Sequence, residues 1–348
     1  MATPNTSLAT KLLPMLSYTD HSVISPYGIS TVLAMVAEGA SEESLNEILV
    51  ALGYESLDEL RESLTTTLEA PCEAFKSKNS ITLMRGEKGA ELLEQFKQVL
   101  SRDYSATIAE KDSDGEATVQ LQNVANFKAE WLPKMERDTS HAHLFHQADG
   151  SDSHPAFLNC SSRLRYYVDH FNRRPTVQAV ALPYKYNGEG IPFELVLVDS
   201  DKQLDAERLR KIFEGMQLGK CEVEFPEFSI SIEYDLIPMM KELGIKKAFD
   251  PEVESFDRIA TIPLCAGSFR QKAEIQVDKN GTVAKAMTFM LLYQCASISE
   301  SIELRFYRPF YYFLRNNVSG EVLFMGRVNT LSDCERTKEV VDLADFLR

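Results

Sequence analysis

Four histidines lie close together in the sequence, and histidine is the side chain that proteins use most often to bind metals such as zinc. They are His141, His143, His146 and His154. A metal site also requires that its ligands converge and that surrounding groups orient them, and spacing alone predicts neither. We therefore favour solvated surface histidines over a metal centre, and we expect no cofactor.

The usual signatures of catalytic chemistry are missing from the sequence. It contains no G-x-S-x-G, G-x-x-x-x-G-K-[ST] or H-E-x-x-H motif, which argues against the common hydrolase and nucleotide-binding classes. The cysteines are scattered without a C-x-x-C pair, a pattern typical of free thiols in a reducing compartment. They are Cys72, Cys160, Cys221, Cys265, Cys295 and Cys334.

The composition is ordinary for a soluble globular protein, with an excess of acidic residues. Of 348 residues, 44% are hydrophobic and 26% are charged, and the net charge is −15. This charge disfavours a nucleic-acid partner, because phosphates are neutralised by Lys and Arg. No apolar run is long enough to span a membrane, and the first residues do not resemble a signal peptide. We expect a monomer that is cytoplasmic, or exported without a recognisable signal peptide; a removed signal peptide would make it extracellular.

Residues 273–328 carry the most informative pattern. Residues 273–278 alternate like a β-strand, and Lys279, Asn280 and Gly281 follow as a turn signal. Residues 282–296 form an unusual run that begins with small residues and continues with apolar ones. Two strand-like blocks, 309–314 and 322–328, close the chain. The pattern predicts two parts of a sheet joined by a long loop.

The elements that must position this loop divide into helices first and strands later. A helix is predicted from Pro26 to Gly39, and a second is capped by Ser41 and ended by Gly53. Residues 92–100 and 235–243 are also helical in pattern, whereas 177–183, 193–198 and 221–232 are typical of strands. No repeat or linker appears. We predict one α+β domain in which helices pack on large, mostly antiparallel β-sheets.

Several short motifs, in order along the chain, resemble those of the serpin family. They are SPYGIS at 25–30, NVANFKAEW at 123–131, LPY at 182–184, FPEF at 225–228, RPF at 308–310 and FMGRV at 324–328. The resemblance implies a serpin-like domain over residues 1–330, with an exposed reactive loop at about 281–303. Residues 331–348 would then be a C-terminal extension.

The resemblance also implies a suicide-substrate inhibitor of a serine or cysteine protease, and therefore a protein that is not an enzyme. The protease would attack the loop and form an acyl-enzyme, and the cut loop would insert into the main sheet as a new strand. By the family's spacing the reactive bond joins Cys295 and Ala296, with Gln294 or Tyr293 as alternatives before the cut. The apolar residues 289–293 favour a chymotrypsin-like or cathepsin-like protease.

The family pattern identifies two further groups of residues. The first is the hinge of the loop: Gly281, Thr282, Val283, Ala284, Lys285, Ala286, Met287 and Thr288. The second is the region where the sheet opens: Ser25, Ser30, Asn123 and Gln271. In the hinge, the small residues of one face fit a crowded sheet, whereas Lys285 and Met287 depart from the family. Lys279 replaces an acidic residue, so a hinge salt bridge is expected to be lost or reversed.

One helix of the family has no counterpart in the sequence. Between Ile108 and Gln122 the chain is too short for the helix that crosses the outer face of the main sheet, and residues 109–116 are typical of a turn. Without that helix, water would reach the insertion track and Lys285 could keep its charge solvated, so the two departures would compensate. The alternative is a non-inhibitory serpin-fold protein that binds a partner or acts as a chaperone. A metal-dependent enzyme is the third and least favoured class.

Overall fold

The computed structural model describes residues 4–17, 19–68, 74–87, 89–140, 143–171, 174–250, 252–262, 264–282 and 301–334. The α-helices in this part of the chain are α1 Pro4–Leu12, α2 Pro26–Ala37, α3 Glu42–Leu52, α4 Leu57–Leu68, α5 Glu94–Tyr104, α6 Ala206–Gly215 and α7 Ile237–Glu242. Short 3-10 helices cover Leu13–Met15 and Lys247–Phe249.

The strands of the first half are β1 Ser22–Ile24, β2 Phe75–Met84, β3 Thr107–Lys111, β4 Thr118–Phe127, β5 Ala129–Trp131, β6 Glu136–Asp138, β7 Phe145–His146, β8 Asp152–Ser153 and β9 Phe157–Phe171. Those of the second half are β10 Arg174–Tyr186, β11 Glu189–Ser200, β12 Gln217–Pro226, β13 Phe228–Asp235, β14 Arg270–Val277, β15 Gly281–Thr282, β16 Ile302–Arg305, β17 Phe310–Asn316 and β18 Val322–Val328.

The strands form one large sheet, a separate pair β7-β8, and a sheet that is split in two. The large sheet has the order β1-β18-β17-β11-β10-β9-β12-β16, with β5, β6 and β15 attached at its side. The split sheet, called the main sheet here, consists of β3-β2-β4 and the antiparallel pair β13-β14. Helices pack against both, which confirms the predicted α+β class.

Two helices, α2 and α3, begin where the sequence predicts and end at or just before the predicted glycine. Ser25 caps α2 by accepting a hydrogen bond from the Gly28 N–H at 3.1 Å, and Pro26 occupies the first turn, where its missing N–H is harmless. Ser41 caps α3 in the same way, and Gly53 ends it with a left-handed φ of 84°.

The outer face of the main sheet is open, as the short connection predicts. The chain is described throughout from α5 to β4, and these residues contain β3 and a turn at 112–117 but no helix. Along β4, every second side chain is exposed, and among these outward residues only Val124 is a large hydrophobic. A polar face of this kind needs no covering element.

Four sequence-based boundaries need correction. Residues 109–111 belong to β3, because they pair with β2 in parallel. The helix predicted at 92–100 begins at Glu94, after Leu92 forms a bridge to Ala260, and the helix predicted at 235–243 is shorter. The strand predicted at 221–232 is two strands, because the Glu227 N–H donates to the Ala156 carbonyl and β12 and β13 join different sheets.

No helix among the described residues has both the length and the apolar character needed to cross a membrane.

Candidate functional site

The main sheet contains a gap between β4 and β14. In the described part of the chain, β4 pairs with β2 and β14 with β13, so each strand keeps one edge without a strand partner. The two edges are 10 and 8 residues long. Backbone N–H and C=O groups along such an edge are a template for a further strand.

The chain enters this gap at the end that lies next to β5. The Asp278 N–H donates to the Gly281 carbonyl at 3.1 Å and the Gly281 N–H returns a bond to Asp278 at 3.2 Å, which closes a two-residue hairpin turn after β14. Gly281 and Thr282 then pair antiparallel with Glu130 and Ala129 of β5. The second arm of this hairpin therefore starts as a strand between β14 and β5.

Gly281 is required at this point for steric reasons. Its φ of 132° lies in a region that L-residues rarely adopt, and a Cβ atom would lie 2.2 Å from the Ala129 carbonyl oxygen. The neighbouring Trp131 is buried, and its indole N–H donates to the Asp278 carbonyl at 2.7 Å. The hairpin is thus fixed against β5 by its backbone pairing and by the Trp131 side chain.

A carboxylate on the other side of the gap also holds the hairpin. Glu227, between β12 and β13, accepts the Lys279 backbone N–H at 3.2 Å and the Arg137 Nε–H at 2.8 Å. The acidic residue of this contact is Glu227. The family pattern expects an acidic residue at position 279 instead, where this chain has Lys279. The Lys279 contact is made by its backbone, and no ion pair of its ammonium group occurs among the described residues.

At the other end of β14, away from the hairpin turn, Gln271 joins this strand to the start of α2. Its Oε1 accepts the Ser25 N–H at 2.7 Å, and its Nε2 donates to the Ser25 carbonyl at 3.0 Å. The Ser25 hydroxyl donates to the Leu323 carbonyl at 2.7 Å, so the same residue is tied to β18. The Gln271 side chain thus binds both backbone groups of Ser25, as the backbone of a neighbouring strand would.

Asn123 approaches the same place from β4. Its amide donates to Ser77 Oγ at 2.7 Å and to Asn79 Oδ1 at 2.8 Å, whereas its own Oδ1 is buried and has no hydrogen-bond partner among the described residues. A Cβ added to Gly28 would lie 3.1 Å from Asn123 Oδ1 and 3.2 Å from Gln271 Nε2. The side chains of β4 and β14 therefore meet over the first turn of α2.

The structure brings together three of the four residues predicted for the sheet-opening region. Ser25, Asn123 and Gln271 surround the start of α2, and Ser30 is fully buried one turn further along that helix. His21 lies outside this cluster: its ring nitrogens contact the Asn329 N–H and the Thr330 hydroxyl.

Replacing Gln271 with Ala should lower the free energy of unfolding by about 2 kcal/mol, because two partly buried hydrogen bonds to Ser25 are lost. The thermal midpoint of unfolding, measured by calorimetry, should fall by a few degrees. Gln276→Ala, at an exposed position of the same strand, is the matched control and should leave the midpoint unchanged. Equal midpoints for both variants would contradict a structural role for Gln271.

A comparison with protein families decides the identity of this fold. The family model described as "Serpin (serine protease inhibitor)" matches residues 3–120 and 108–331. This chain is a serpin. Family membership also confirms the prediction that it is not an enzyme, since serpins are not catalysts.

Curated relatives and solved structures agree with this assignment. Putative serpin-Z12 of Oryza sativa subsp. japonica is 26% identical over 88% of this chain and 84% of its own. Antithrombin-III of Homo sapiens is 22% identical over 89% and 76%. The native state of the thermophilic serpin Tengpin superposes with a TM-score of 0.76 at 20% identity, covering 94% and 93%. A cleaved Serpin 42Da gives 0.74 at 19% identity, covering 94% and 96%.

The predicted loop lies mostly outside the described residues. Its outer parts are described: Gly281 and Thr282 form β15, and Ile302 and Glu303 begin β16. The loop predicted at 281–303 therefore includes the ends of two strands. The remaining predicted hinge and reactive-bond residues lie outside the described part: Val283, Ala284, Lys285, Ala286, Met287, Thr288, Tyr293, Gln294, Cys295 and Ala296.

The histidines of the serpin are dispersed among separate partners. His143 contacts Glu224, His146 contacts Asp152, and the His154 backbone N–H donates to Asp333. His141 lies outside the described residues. In the part of the chain that is described, no three His, Cys, Asp or Glu side chains are grouped to hold a metal ion.

Sequence reasoning missed two contributors to the gap. Glu227 and Arg137 were not predicted to act at the hinge, although Glu227 lies within the FPEF motif. No local signal identified this contact, because Glu227 accepts the Lys279 backbone N–H, a group that every residue except proline carries.

Proposed function

We propose that this serpin is a suicide-substrate inhibitor of a serine or cysteine protease, and that its cut loop inserts between β4 and β14. The observation that carries the proposal is the short strand β15. Gly281 and Thr282 already pair with β5 in the direction that an inserted strand would need. The rest of the insertion would continue a ladder that has begun.

The register of β15 supports an ordered insertion. Continued without a shift along β5 and β4, it would place Ala286 opposite Ala125 and Thr288 opposite Asn123. Both β4 residues are partly buried and alternate with exposed neighbours, so they lie on the core side of the strand. The hairpin on the other side, continued in the same way, would place Thr288 beside Gln271. Small side chains would thus face the core, as the hinge pattern requires.

The length of the gap fits the length of the loop. In this register Tyr293 would reach Thr118, the first residue of β4. The proposed reactive bond after Cys295 lies just beyond that point. A cut there would release a segment long enough to pair with the whole free edge of β4. The segment would end near Thr118.

Insertion would release a substantial amount of free energy. Roughly ten new ladder hydrogen bonds at ~1 kcal/mol each give on the order of 10 kcal/mol before side-chain burial is counted. The Thr288 hydroxyl would also arrive beside Asn123 Oδ1, which has no partner in the described part of the chain. A buried acceptor that gains a donor stabilises the inserted state further.

The open outer face supports the compensation proposed for Lys285 and Met287. In the same register Lys285 would lie opposite Asn126 and Met287 opposite Val124, both of which are exposed. A lysine that emerges on an uncovered face keeps its ammonium group in water and avoids the desolvation that a packed helix would impose. The departures at these positions are therefore compatible with insertion.

The mechanism of inhibition follows from the distance that the cut loop travels with the attached protease. A strand rises about 3.3 Å per residue, so insertion over ten residues moves the attached protease roughly 30 Å. Catalysis tolerates much smaller displacements, since about 1 Å can lower a rate ~100-fold. The acyl-enzyme would form at Cys295 and then fail to deacylate. The apolar residues 289–293 favour a chymotrypsin-like or cathepsin-like protease.

The decisive experiment is incubation of the serpin with chymotrypsin and with a cysteine cathepsin. We expect an SDS-resistant 1:1 complex and a cut between Cys295 and Ala296, mapped by mass spectrometry. Clean cleavage that leaves the protease fully active would contradict inhibition. That outcome would favour the alternative, a non-inhibitory serpin that binds a partner.

Cleavage should also expose a new apolar surface. The proposed register puts Phe289, Leu291 and Tyr293 on the outer face, opposite β4 residues that no helix covers. Binding of the dye ANS should therefore increase after cleavage, and its fluorescence measures the change. The double substitution Phe289→Ser and Leu291→Ser should reduce that increase. No increase in the cleaved wild type would contradict the proposed orientation.

A further inference from the structure

The chain contains two Asn-Gly pairs, and both lie on hairpin turns. Asn187 and Gly188 form the turn between β10 and β11, and Asn280 and Gly281 lie on the turn that follows β14. Asparagine is a chemically labile side chain. It reacts most readily when glycine follows, because a residue without a Cβ leaves its backbone nitrogen open to the Asn carboxamide. Both turns are therefore candidate sites of spontaneous modification.

The Asn280 side chain is accessible, and the nitrogen that follows it is held loosely. Asn280 is exposed, and among the described residues its carboxamide makes no hydrogen bond, whereas its backbone N–H donates to Asp278 Oδ1 at 2.7 Å. The Gly281 N–H donates to the Asp278 carbonyl at 3.2 Å, and the same oxygen accepts the Trp131 indole N–H at 2.7 Å. The Gly281 bond is thus the longer of two that share one acceptor, and its length is at the upper end of the usual range.

We propose that Asn280 is a self-modification site that limits the active lifetime of the inhibitor. The proposal rests on the proposed function. The Gly281 nitrogen forms a bond to Asn280 Cγ, and the side-chain nitrogen leaves as ammonia with the proton of the Gly281 N–H, which closes a succinimide ring. One water molecule then opens the ring at either of its carbonyl carbons and leaves an aspartate or an isoaspartate. Nothing is oxidised or reduced, and water is the only co-reactant.

Isoaspartate would change the backbone at the point where insertion begins. It routes the chain through the former Asn280 Cβ and Cγ and so adds one backbone atom before Gly281. Gly281 has no room to shift, because even an added Cβ would lie 2.2 Å from the Ala129 carbonyl oxygen and 2.7 Å from Glu130 Cα. The longer backbone would therefore break the pairing of Gly281 and Thr282 with β5 or change its register. Either change stops the insertion that this pairing starts.

Asn187 provides an internal comparison. Its turn is also exposed, and both of its residues have a left-handed φ, 51° for Asn187 and 88° for Gly188. β10 pairs with β5 through Tyr184 and Lys185, so the turn projects beyond that pairing. The proposed inserted strand lies between β4 and β14 and does not include this turn. Modification at Asn187 should therefore leave inhibition intact.

The test follows the purified, uncut serpin during incubation in warm, mildly alkaline buffer. Peptide mapping by mass spectrometry measures the isoaspartate fraction at positions 187 and 280, and titration of chymotrypsin measures the remaining inhibition. In the wild type, inhibition should fall in direct proportion to the isoaspartate fraction at position 280. Asn280→Gln should keep its initial inhibition, because its longer side chain would have to close a larger and less favourable ring. Asn187→Gln is the matched control and should lose inhibition as fast as the wild type.

Absence of isoaspartate at position 280 after prolonged incubation would overturn the proposal. Modified protein that still inhibits fully would overturn it as well, and so would an Asn280→Gln variant that loses inhibition at the wild-type rate. Asn280→Asp adds the charge without the backbone atom and should inhibit like fresh wild type; a variant without inhibition would overturn the role given to the backbone. Failure of the proposed function gives a different result, because fresh wild type would then form no SDS-resistant complex.

Discussion

Cleavage of the loop near Cys295 is expected to raise the thermal midpoint of unfolding by about 15 °C. The estimate of on the order of 10 kcal/mol for about ten new ladder hydrogen bonds gives this shift, because each kcal/mol moves the midpoint of a chain this long by about 1–2 °C. The measurement is differential scanning calorimetry of the intact protein and of the protein nicked in the loop by a protease that it does not trap, since chymotrypsin is expected to stay bound in the complex.

Two neighbouring substitutions separate insertion from mere cleavage. Ala284→Arg would place a charge on the core face, opposite Phe127, which is buried; the arm would then not enter, and the rise should be lost. Lys285→Arg keeps a cation on the open outer face and should keep the rise. Both variants should be cut equally fast. Equal midpoints for the two cleaved variants would show that the faces are assigned incorrectly.

Substitution of Gly281 by Ala should convert the inhibitor largely into a substrate. The residue would have to adopt a φ of 132° with its Cβ 2.2 Å from the Ala129 carbonyl oxygen, so β5 or the hairpin must move. Strain on the order of 1–3 kcal/mol at the first step of insertion slows the trapping of the acyl-enzyme relative to its hydrolysis. A difference of 1.4 kcal/mol is about tenfold in this partition.

The stoichiometry of inhibition, measured by titrating chymotrypsin, should therefore rise roughly tenfold in Gly281→Ala. Gly267→Ala is the matched control, because no atom lies within 4 Å of a Cβ at that position. The control should inhibit like the wild type. An unchanged stoichiometry in Gly281→Ala would mean that the strand β15 does not initiate insertion.

The sequence was sufficient to predict those parts of the fold that depend on neighbouring residues. The caps of α2 and α3 were readable from Ser25, Ser41 and Gly53, because each satisfies backbone groups within its own turn. The missing helix was readable from chain length alone, since no residues remain to build it. The turn at 279–281 was readable because Gly281 permits a backbone that other residues avoid.

The contacts across the gap could not be predicted, because they join residues that are distant in the chain. Gln271 and Ser25 lie 246 positions apart, and Lys279 and Glu227 lie 52 apart. Local patterns carry no information on such pairs. The break at Glu227 was missed for the same reason: residues 221–232 alternate in a way that is compatible with one long strand, and only tertiary structure sends β12 and β13 to different sheets.

The most direct test of the central claim is a crystal structure of the serpin after cleavage in the loop. We predict that residues 282–293 form a strand between β4 and β14, with Thr288 between Asn123 and Gln271 and with Lys285 facing solvent. A cleaved structure in which β4 and β14 pair directly, or in which the cut arm lies outside the main sheet, would contradict the account.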